Sequence, residues 1–353
     1  MRTTPVPGVE AISEEELRAE TSGEGLPPLA PVRDWLHVLP QALGSTHSPR
    51  YTLSYLVLDD AGGVHVVDPG WDSEENRARL ESALDSLGRT VADVRSTVST
   101  HLHRDHLGLA EHLRERAGAR IVLHEREQAA IERLADARDR QTPGATTARL
   151  ISWGVPAARR EELEPMSIEV TAAWSSADRL LSDGDLLDIP GRQVEVLDTP
   201  GHTPGHVALV DRDARLVLTG DHLLPAIFGG IGLGGPAEDA IGDHLASLDR
   251  LEQLESGNSY ASGGMYEVLP GHGYRFTGLT ARVRETREHH RARSAEIAAL
   301  LEQSPGATVW KVAEGVRWSA GWENLRPFHR FSALAQTAMH MNHLRLAHER
   351  GVG

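Results

Sequence analysis

Between His101 and His106 the chain sets three imidazoles and a carboxylate into six consecutive residues: His101-Leu102-His103-Arg104-Asp105-His106. The preceding run, Val94 to Ser99, repeats β-branched residues as a short strand does. The following run, from about Leu109 to Ala117, carries Leu109, Ala110 and Leu113 at helical spacing. The cluster is therefore expected on a strand-to-helix loop, where a rigid scaffold displays functional groups. In extended chain His101 and His103 point to the same side. The turn that follows brings Asp105 and His106 back toward a second point nearby. That arrangement suits two metal ions held side by side.

Composition narrows the chemistry. With no cysteine, disulfides, thiolate nucleophiles and Cys-ligated zinc or iron–sulfur clusters are all excluded, so any metal must be held by His, Asp or Glu. Lys311 is the only lysine, which removes a phosphate-cradling GK[ST] loop and argues against Schiff-base chemistry. A net charge of −15 over 353 residues counts against broad contact with nucleic acid, whose affinity depends on neutralised phosphates. The start, Met1-Arg2-Thr3-Thr4-Pro5-Val6-Pro7, lacks the apolar core of a signal peptide, and no apolar run is long enough to span a bilayer. The chain reads as soluble and cytoplasmic, without a membrane partner.

Residues 1–30 are acidic and rich in Pro, Gly and Glu, as in an extended arm that packs on the body or stays mobile. Strands are expected at Trp35–Leu39, Thr52–Leu58 and Val64–Val67, the last ending in Asp68-Pro69-Gly70. His65 alternates with Val64 and Val66 and reads as an exposed strand histidine. His124, ending the strand Arg120–His124, reads as a surface residue. A helix is expected at about Glu74–Leu87. From about 125 to 180 the pattern is helical, broken at Thr142-Pro143-Gly144 and Gly154-Val155-Pro156, and reads as an insert between two halves of a sheet structure. Strand signals return at Leu186-Leu187, Gln193–Leu197, Val207–Val210, Arg215–Leu218 and Tyr266–Leu269.

The glycine run Gly229–Gly235 contains a G-x-G-x-x-G match (Gly230, Gly232, Gly235). A dinucleotide fingerprint follows its strand directly and opens a helix. Here Pro225 intervenes and Pro236 follows, so a mobile, partly apolar loop is expected instead. After a helix at Asp239–Leu254 and the last strand, residues 278–353 form a helical module. It has one long helix, Leu279–Leu301, a break at Pro305-Gly306, a short helix from Thr308, and another at Phe331–His348.

Ligand-type residues now stand at four strand ends: the first cluster, His202, Asp221 and His272, each flanked by Gly, Pro or Asp turn chemistry. Three imidazoles, His101, His103 and His202, complete one site. Asp105, His106 and His272 complete the other, and Asp221 can bridge with its two oxygens. Nitrogen and oxygen donors without sulfur fit two divalent ions, zinc above all, with manganese or iron as alternatives. Asp68 is the candidate acceptor that fixes the tautomer of a metal-bound histidine. His206 and His222, beside the ligands, are read as structural hydrogen-bonding residues. His244, His329, His340, His343 and His348 belong to no metal motif and are read as surface or core residues.

These motifs resemble the metallo-β-lactamase superfamily: Thr100-His101-x-His103-x-Asp105-His106, Val66-Val67-Asp68-Pro69-Gly70, Thr199-Pro200-Gly201-His202-Thr203-x-Gly205-His206, Thr219-Gly220-Asp221 and Leu269-Pro270-Gly271-His272-Gly273. The resemblance covers about residues 33–275. It implies an α/β fold, an αββα sandwich of two mixed β-sheets, as a catalytic domain at 31–277. Asp105 and Asp221 together look like the hydrolase branch that holds glyoxalase II-like enzymes, lactonases and nucleases. The C-terminal module is similar to the winged-helix extension of the mitochondrial lactamase-like endoribonucleases, with Glu288-His289-His290-Arg291 as the basic segment of that likeness.

By that resemblance, a hydroxide between two metal ions attacks a carboxylic ester, lactone or thioester. Asp105 orients it and takes up its proton. The insert, the loop at 223–236 and the C-terminal module shape the pocket, with Phe228 and Tyr274 as expected lining residues. The expected partner is a small-molecule substrate, and a homodimer is compatible with the sequence. A single-stranded endoribonuclease is the competing enzyme class, disfavoured by the acidic charge balance. An iron-dependent persulfide dioxygenase would not need Asp105 and His106. A binding module on a degenerate scaffold conflicts with the complete ligand set.

Overall fold

The structure is a computed structural model that describes residues 6–43, 49–139, 145–165, 176–235, 237–256 and 265–351. In chain order its strands are β1 (Glu10–Ala11), β2 (Ala30–Arg33), β3 (Leu36–Ala42), β4 (Tyr51–Leu58), β5 (Val64–Val67), β6 (Val94–Val98) and β7 (Arg120–His124). β8 (Arg179–Leu181), β9 (Val194–Asp198), β10 (Val207–Asp211), β11 (Leu216–Gly220), β12 (Glu267–Pro270) and β13 (Phe276–Thr277) follow. The helices are α1 (Glu14–Ser22), α2 (Glu74–Ser86), α3 (Arg104–Leu107), α4 (Ala110–Ala117), α5 (Glu125–Asp139) and α6 (Ala145–Ser152). Then come α7 (Ala157–Leu163), α8 (Ala240–Ser256), α9 (Leu279–Gln303), α10 (Val309–Gly315) and α11 (Pro327–Glu349).

Strands β2 to β8 form one sheet in sequence order, antiparallel from β2 to β5 and parallel from β5 to β8. The second sheet runs β1-β13-β12-β11-β10-β9, with β11 and β12 parallel and the other pairs antiparallel. Both sheets are mixed. Strand periodicity shows how they stack. In β4, Tyr51, Leu53, Tyr55 and Val57 point into a core shared with Val207 and Leu209 of β10 and Leu216 and Leu218 of β11. The alternate residues face outward onto helices. Leu56 of β4 packs against Leu80 and Leu84 of α2 and Leu113 of α4, while Ala208 and Val210 of β10 pack against Leu248 and Leu251 of α8 and Val283 of α9. The layers are thus helix, sheet, sheet, helix, as the resemblance implies.

Burial of both sheet faces overturns two expectations. His65 is not exposed: it lies 2% exposed, with its ring nitrogens against Ser96 Oγ (2.7 Å) and an Asp59 oxygen (3.1 Å). His124 is not a surface residue either; it is buried and pairs with Asp198 at 3.1 Å. Both share the face of Val57, Val67 and Val122, which is turned to the second sheet, so each meets the space between the sheets instead of water. Leu186-Leu187 forms an isolated bridge to Glu195 and no strand; the edge strand is β8, a few residues earlier.

The described part of the N-terminal arm packs on the body. β1 extends the second sheet by pairing with β13, and the buried Glu16 carboxylate accepts from Arg275 N (2.8 Å) and Nε (2.7 Å). In the insert, α6 and α7 meet at the Gly154–Pro156 break, while Thr142-Pro143-Gly144 lies outside the described residues. Leu150, Val155 and Leu163 of the insert share one core with Trp310, Trp322, Phe331 and Leu334. The C-terminal region is helical. Its described residues hold no strand beyond β13, so the wing strands of a winged helix are not among them. None of the helices is long and apolar enough to cross a membrane, among the described residues.

Candidate metal centre

The loops at one end of the sandwich carry the expected ligands from both sheets. His101 and His103 follow β6, and Asp105 and His106 open α3. His202 sits on the turn after β9, Asp221 follows β11 and His272 follows β12. Close approach of the strand ends requires glycine. A Cβ on Gly271 would stand 2.5 Å from Asp221 Oδ1 and 2.7 Å from His106 Cε1.

Side-chain donors converge on one another. His103 Nδ1 lies 2.9 Å from His101 Nε2 and 3.1 Å from His202 Nε2. His106 Nε2 lies 3.3 Å from His272 Nε2. Ligand nitrogens on one tetrahedral zinc ion, at the usual bond length, are about 3.3 Å apart. His101, His103 and His202 form one group of donors within 4.8 Å of each other, Asp105, His106 and His272 another, and His101, His106 and Asp221 a third. Asp221 stands between: one oxygen is 3.4 Å from His106 Nε2, the other 3.3 Å from His272 Nε2 and 3.7 Å from His202 Nε2. Asp105 Oδ2 lies 3.3 Å from His272 Nε2.

The outward ring nitrogens identify what the inward ones can do. His202 Nδ1 donates to Gly230 O (2.6 Å), His272 Nδ1 to Tyr51 O (2.7 Å) and His103 Nε2 to Leu233 O (3.3 Å). A carbonyl only accepts, so each proton sits on the outer nitrogen and a lone pair faces inward. Asp68 does the same for two more. Its Oδ2 accepts from His106 Nδ1 and from Thr100 Oγ1, both at 2.9 Å, and its Oδ1 accepts from Thr100 N at 2.7 Å. With its proton given to Asp68, the Thr100 hydroxyl accepts from His101 Nδ1 at 3.0 Å. Five lone pairs and two carboxylates thus face one small volume. That donor set fits divalent cations. Asp68 holds φ 51°, a costly conformation for a residue with a side chain, sustained by these three hydrogen bonds.

Electrostatics divide the cluster. Burial, then neighbouring imidazoles, push His101 far below the ordinary histidine range and His202 down to about 4. Burial also disfavours charge on His272, yet Asp221 and Asp105 hold it well above that range. Asp105 lies below the carboxylate range: burial opposes ionisation, but His106 and His272 outweigh it. The half with the carboxylates is built for positive charge.

Several placements differ from expectation. His206 is structural as read, its Nδ1 2.9 Å from Thr199 Oγ1 and its Nε2 accepting from Asp221 N at 3.1 Å. His222 is not hydrogen-bonded; both ring nitrogens are buried without a partner. The glycine loop is tethered to the His202 turn, Gly232 N and Leu233 N each donating to it at 2.8 Å. Pro236 lies outside the described residues. Phe228 lines a cavity behind this loop, whereas Tyr274 packs on the core beneath the second sheet. One residue has no counterpart among the sequence expectations. Glu127 of α5 is fully buried and accepts from Leu102 N (2.7 Å) and Gly205 N (2.6 Å), tying the His101–His103 segment to the His202–His206 turn. Burial raises its carboxyl to about 7, against those bonds. As one acid among many on a polar helix, it carries no motif.

The comparisons agree with this geometry. The family model of the metallo-beta-lactamase superfamily matches residues 47–259. Hydroxyacylglutathione hydrolase GloC of Haemophilus influenzae is 27% identical over 178 residues, spanning 50% of this chain and 68% of that one. Acyl-coenzyme A thioesterase MBLAC2 of Gallus gallus is 28% identical over 184 residues, 50% of this chain and about half (55%) of that protein. The crystal structure of the metallo-beta-lactamase family protein TTHA1429 from Thermus thermophilus superposes with a TM-score of 0.68 at 28% identity, over 91% of this chain and 95% of that one. Strand order, convergent donors and family model together place the chain in the metallo-beta-lactamase superfamily, among its metal-dependent hydrolases.

Proposed function

We propose that the protein is a binuclear metal-dependent thioesterase, with carboxylic esters and lactones as related substrates. The observation that carries this reading is the inward orientation of five imidazole nitrogens around Asp221, whose Oδ1 faces His106 and whose Oδ2 faces both His272 and His202. His101, His103 and His202 would hold one ion and Asp105, His106 and His272 the other, zinc being the ion that suits sulfur-free N and O donors. Two such ions supply a polarised substrate carbonyl and a water whose pKa is lowered toward neutrality.

The chain's own residues do the rest. Asp105 remains ionised; with Oδ2 turned to the His106–His272 group, its other oxygen, Oδ1, orients the attacking water and accepts its proton. Asp68 and Thr100 keep His101 and His106 in the ligating tautomer. Gly230 and Leu233 carbonyls do so for His202 and His103, so that the loop orders the ligands. The thioester preference is drawn from the relatives' activities: one acts on hydroxyacylglutathione, the other on acyl-coenzyme A.

Metal analysis of the purified protein, paired with hydrolysis of thioesters, lactones, phosphodiesters and RNA, tests the reading. About two divalent ions per chain with thioester turnover is the expected result. Two ions with no turnover of any carbonyl substrate overturns it. About one iron with sulfite release from a persulfide moves the chain to a redox reaction.

A further inference from the structure

Behind the glycine loop lies a cavity of about 650 Å³, within the range of sites for small organic ligands. None of the candidate ligands of the metal centre lines it. Gly229 and Ile231 do, while the carbonyl of Gly230 between them accepts from His202. The loop is therefore a wall one residue thick, with the metal centre on one side and the cavity on the other.

The loop is clamped in place. Arg282 of α9, buried, donates to Leu224 O (2.5 Å) and Ile227 O (2.6 Å) and lies over the Phe228 ring at 4.7 Å. Phe228 also stacks on His289 at 3.8 Å. Phe228, Ile231, Ile241 and Trp318 give the cavity an apolar wall. On α9, one turn apart, His290 and Arg293 give it a polar one.

Of these two groups, Arg293 is the one that can reach a ligand. His290 is 6% exposed, and neither ring nitrogen has a partner. It belongs to a buried column that starts behind the ligands, His206 to His222 at 5.9 Å, His222 to His244 at 4.3 Å and His244 to His290 at 4.9 Å, and passes on to His340 at 6.0 Å. Both nitrogens are closed off from the cavity, so His290 gives the wall a ring and no open donor. Arg293 lies over Trp318 at 4.6 Å and donates to Glu296 (2.9 Å), which also faces Arg317 at 3.5 Å. Arg293 makes this bond and one to Arg317 O through Nη1, so among the described residues its Nε and Nη2 are left to match the two oxygens of a carboxylate.

We propose that this cavity binds an amphipathic carboxylate, its apolar body against Phe228, Ile231, Ile241 and Trp318 and its carboxylate accepting from Arg293. The acid has two sources: the product of hydrolysis at the metal centre, which rests on the thioesterase reading, or an acid made elsewhere. Isothermal titration calorimetry on the full-length, metal-loaded protein tests it, with octanoate and phenylacetate as probes and the matched alcohols as controls. The acids are expected to saturate one site, with the alcohols at least about tenfold weaker. Arg293→Gln is expected to abolish that difference, and Ile241→Trp, which fills the cavity, to abolish binding. Acetohydroxamate, which chelates at the metal centre, is expected to leave the acid in place.

Equal binding of acids and alcohols, or displacement by acetohydroxamate, overturns the proposal; the latter puts the acid on the metals. Both controls use the unmodified protein, so misfolding of a variant does not blur the result. Tightest binding by the acid of the best thioester substrate identifies a product site, and tighter binding of an unrelated acid identifies an outside source. Acid binding without thioester hydrolysis refutes the activity alone, and hydrolysis without acid binding refutes the cavity site alone.

Discussion

At the scale of single residues, the centre depends as much on groups that never reach an ion as on those that would. His272 and His202 come from strand ends far along the chain from His103, yet their donor atoms lie in the same cluster. His272→Ala is expected to impair metal loading nearly as much as His103→Ala, measured as metal bound per chain; full loading in His272→Ala would remove it from the ligand set. Asp68→Asn exchanges an acceptor for a group that can present N–H to His106. A loss of about 10- to 100-fold in metal affinity is expected in chelator competition. Glu127→Ala leaves Leu102 N and Gly205 N buried without an acceptor, at roughly 1–3 kcal/mol each. Weaker metal retention together with a lower melting temperature is the expected outcome, and Glu127→Ala with wild-type retention would reduce Glu127 to a packing residue. The His101–His106 run could be read from sequence because its ligands are consecutive. Glu127 could not, because a carboxylate's role here is defined by two amides that only the folded loops bring to it.

At the scale of elements, periodicity gave the strands and helices well and their surroundings less well. β4, β5, β7 and α2 stand where alternation and helical spacing put them. The misreadings of His65 and His124 share a cause: alternation says which residues share a face, but not whether water or a second sheet covers it. The buried column of His222, His244 and His290 was illegible because its members sit on three separate elements and share no motif. It has a consequence for acid stability. Burial, followed by nearby imidazoles, holds His290 down to about 2, and burial, followed by Arg293, holds His340 down to about 3. In the unfolded chain both titrate near 6.5, so as pH falls the unfolded state takes up protons that the folded state refuses. Stability is complete above about pH 6.5 and falls below it by roughly 1 kcal/mol per group per pH unit. Denaturant midpoints at pH 7.5 and 5.5 should therefore separate more for the native protein than for His290→Phe. An equal separation would place the acid sensitivity elsewhere.

At the scale of the whole molecule, the insert and the C-terminal helices hold one another. Trp310 and Trp322 meet edge to face at 5.1 Å, and Leu150, Val155 and Leu163 complete their core. Arg330, buried, crosses from α11 to Glu162 of the insert at 3.0 Å. Trp310→Ala is expected to cost roughly 3–5 kcal/mol and to loosen α6 and α7 along with α10, visible as faster amide exchange in all three. Exchange confined to α10 would show the two segments to be independent. The sequence located both segments as helical but not their contact, because apolar residues at helical spacing specify a buried stripe and not its partner.

The pairing of β1 with β13 reaches beyond the finished structure. Residues 10–11 meet residues 276–277, and Glu16 meets Arg275, so this edge has one of the widest sequence separations in the molecule. During synthesis β1 must wait, unpaired, until β13, about 265 residues later, has left the ribosome. Contacts this far apart in sequence carry a large loop-closure entropy and form late. The arm thus acts as a latch: the sheet that bears Asp221 and His272 is closed at its edge only after every ligand of the centre has been made.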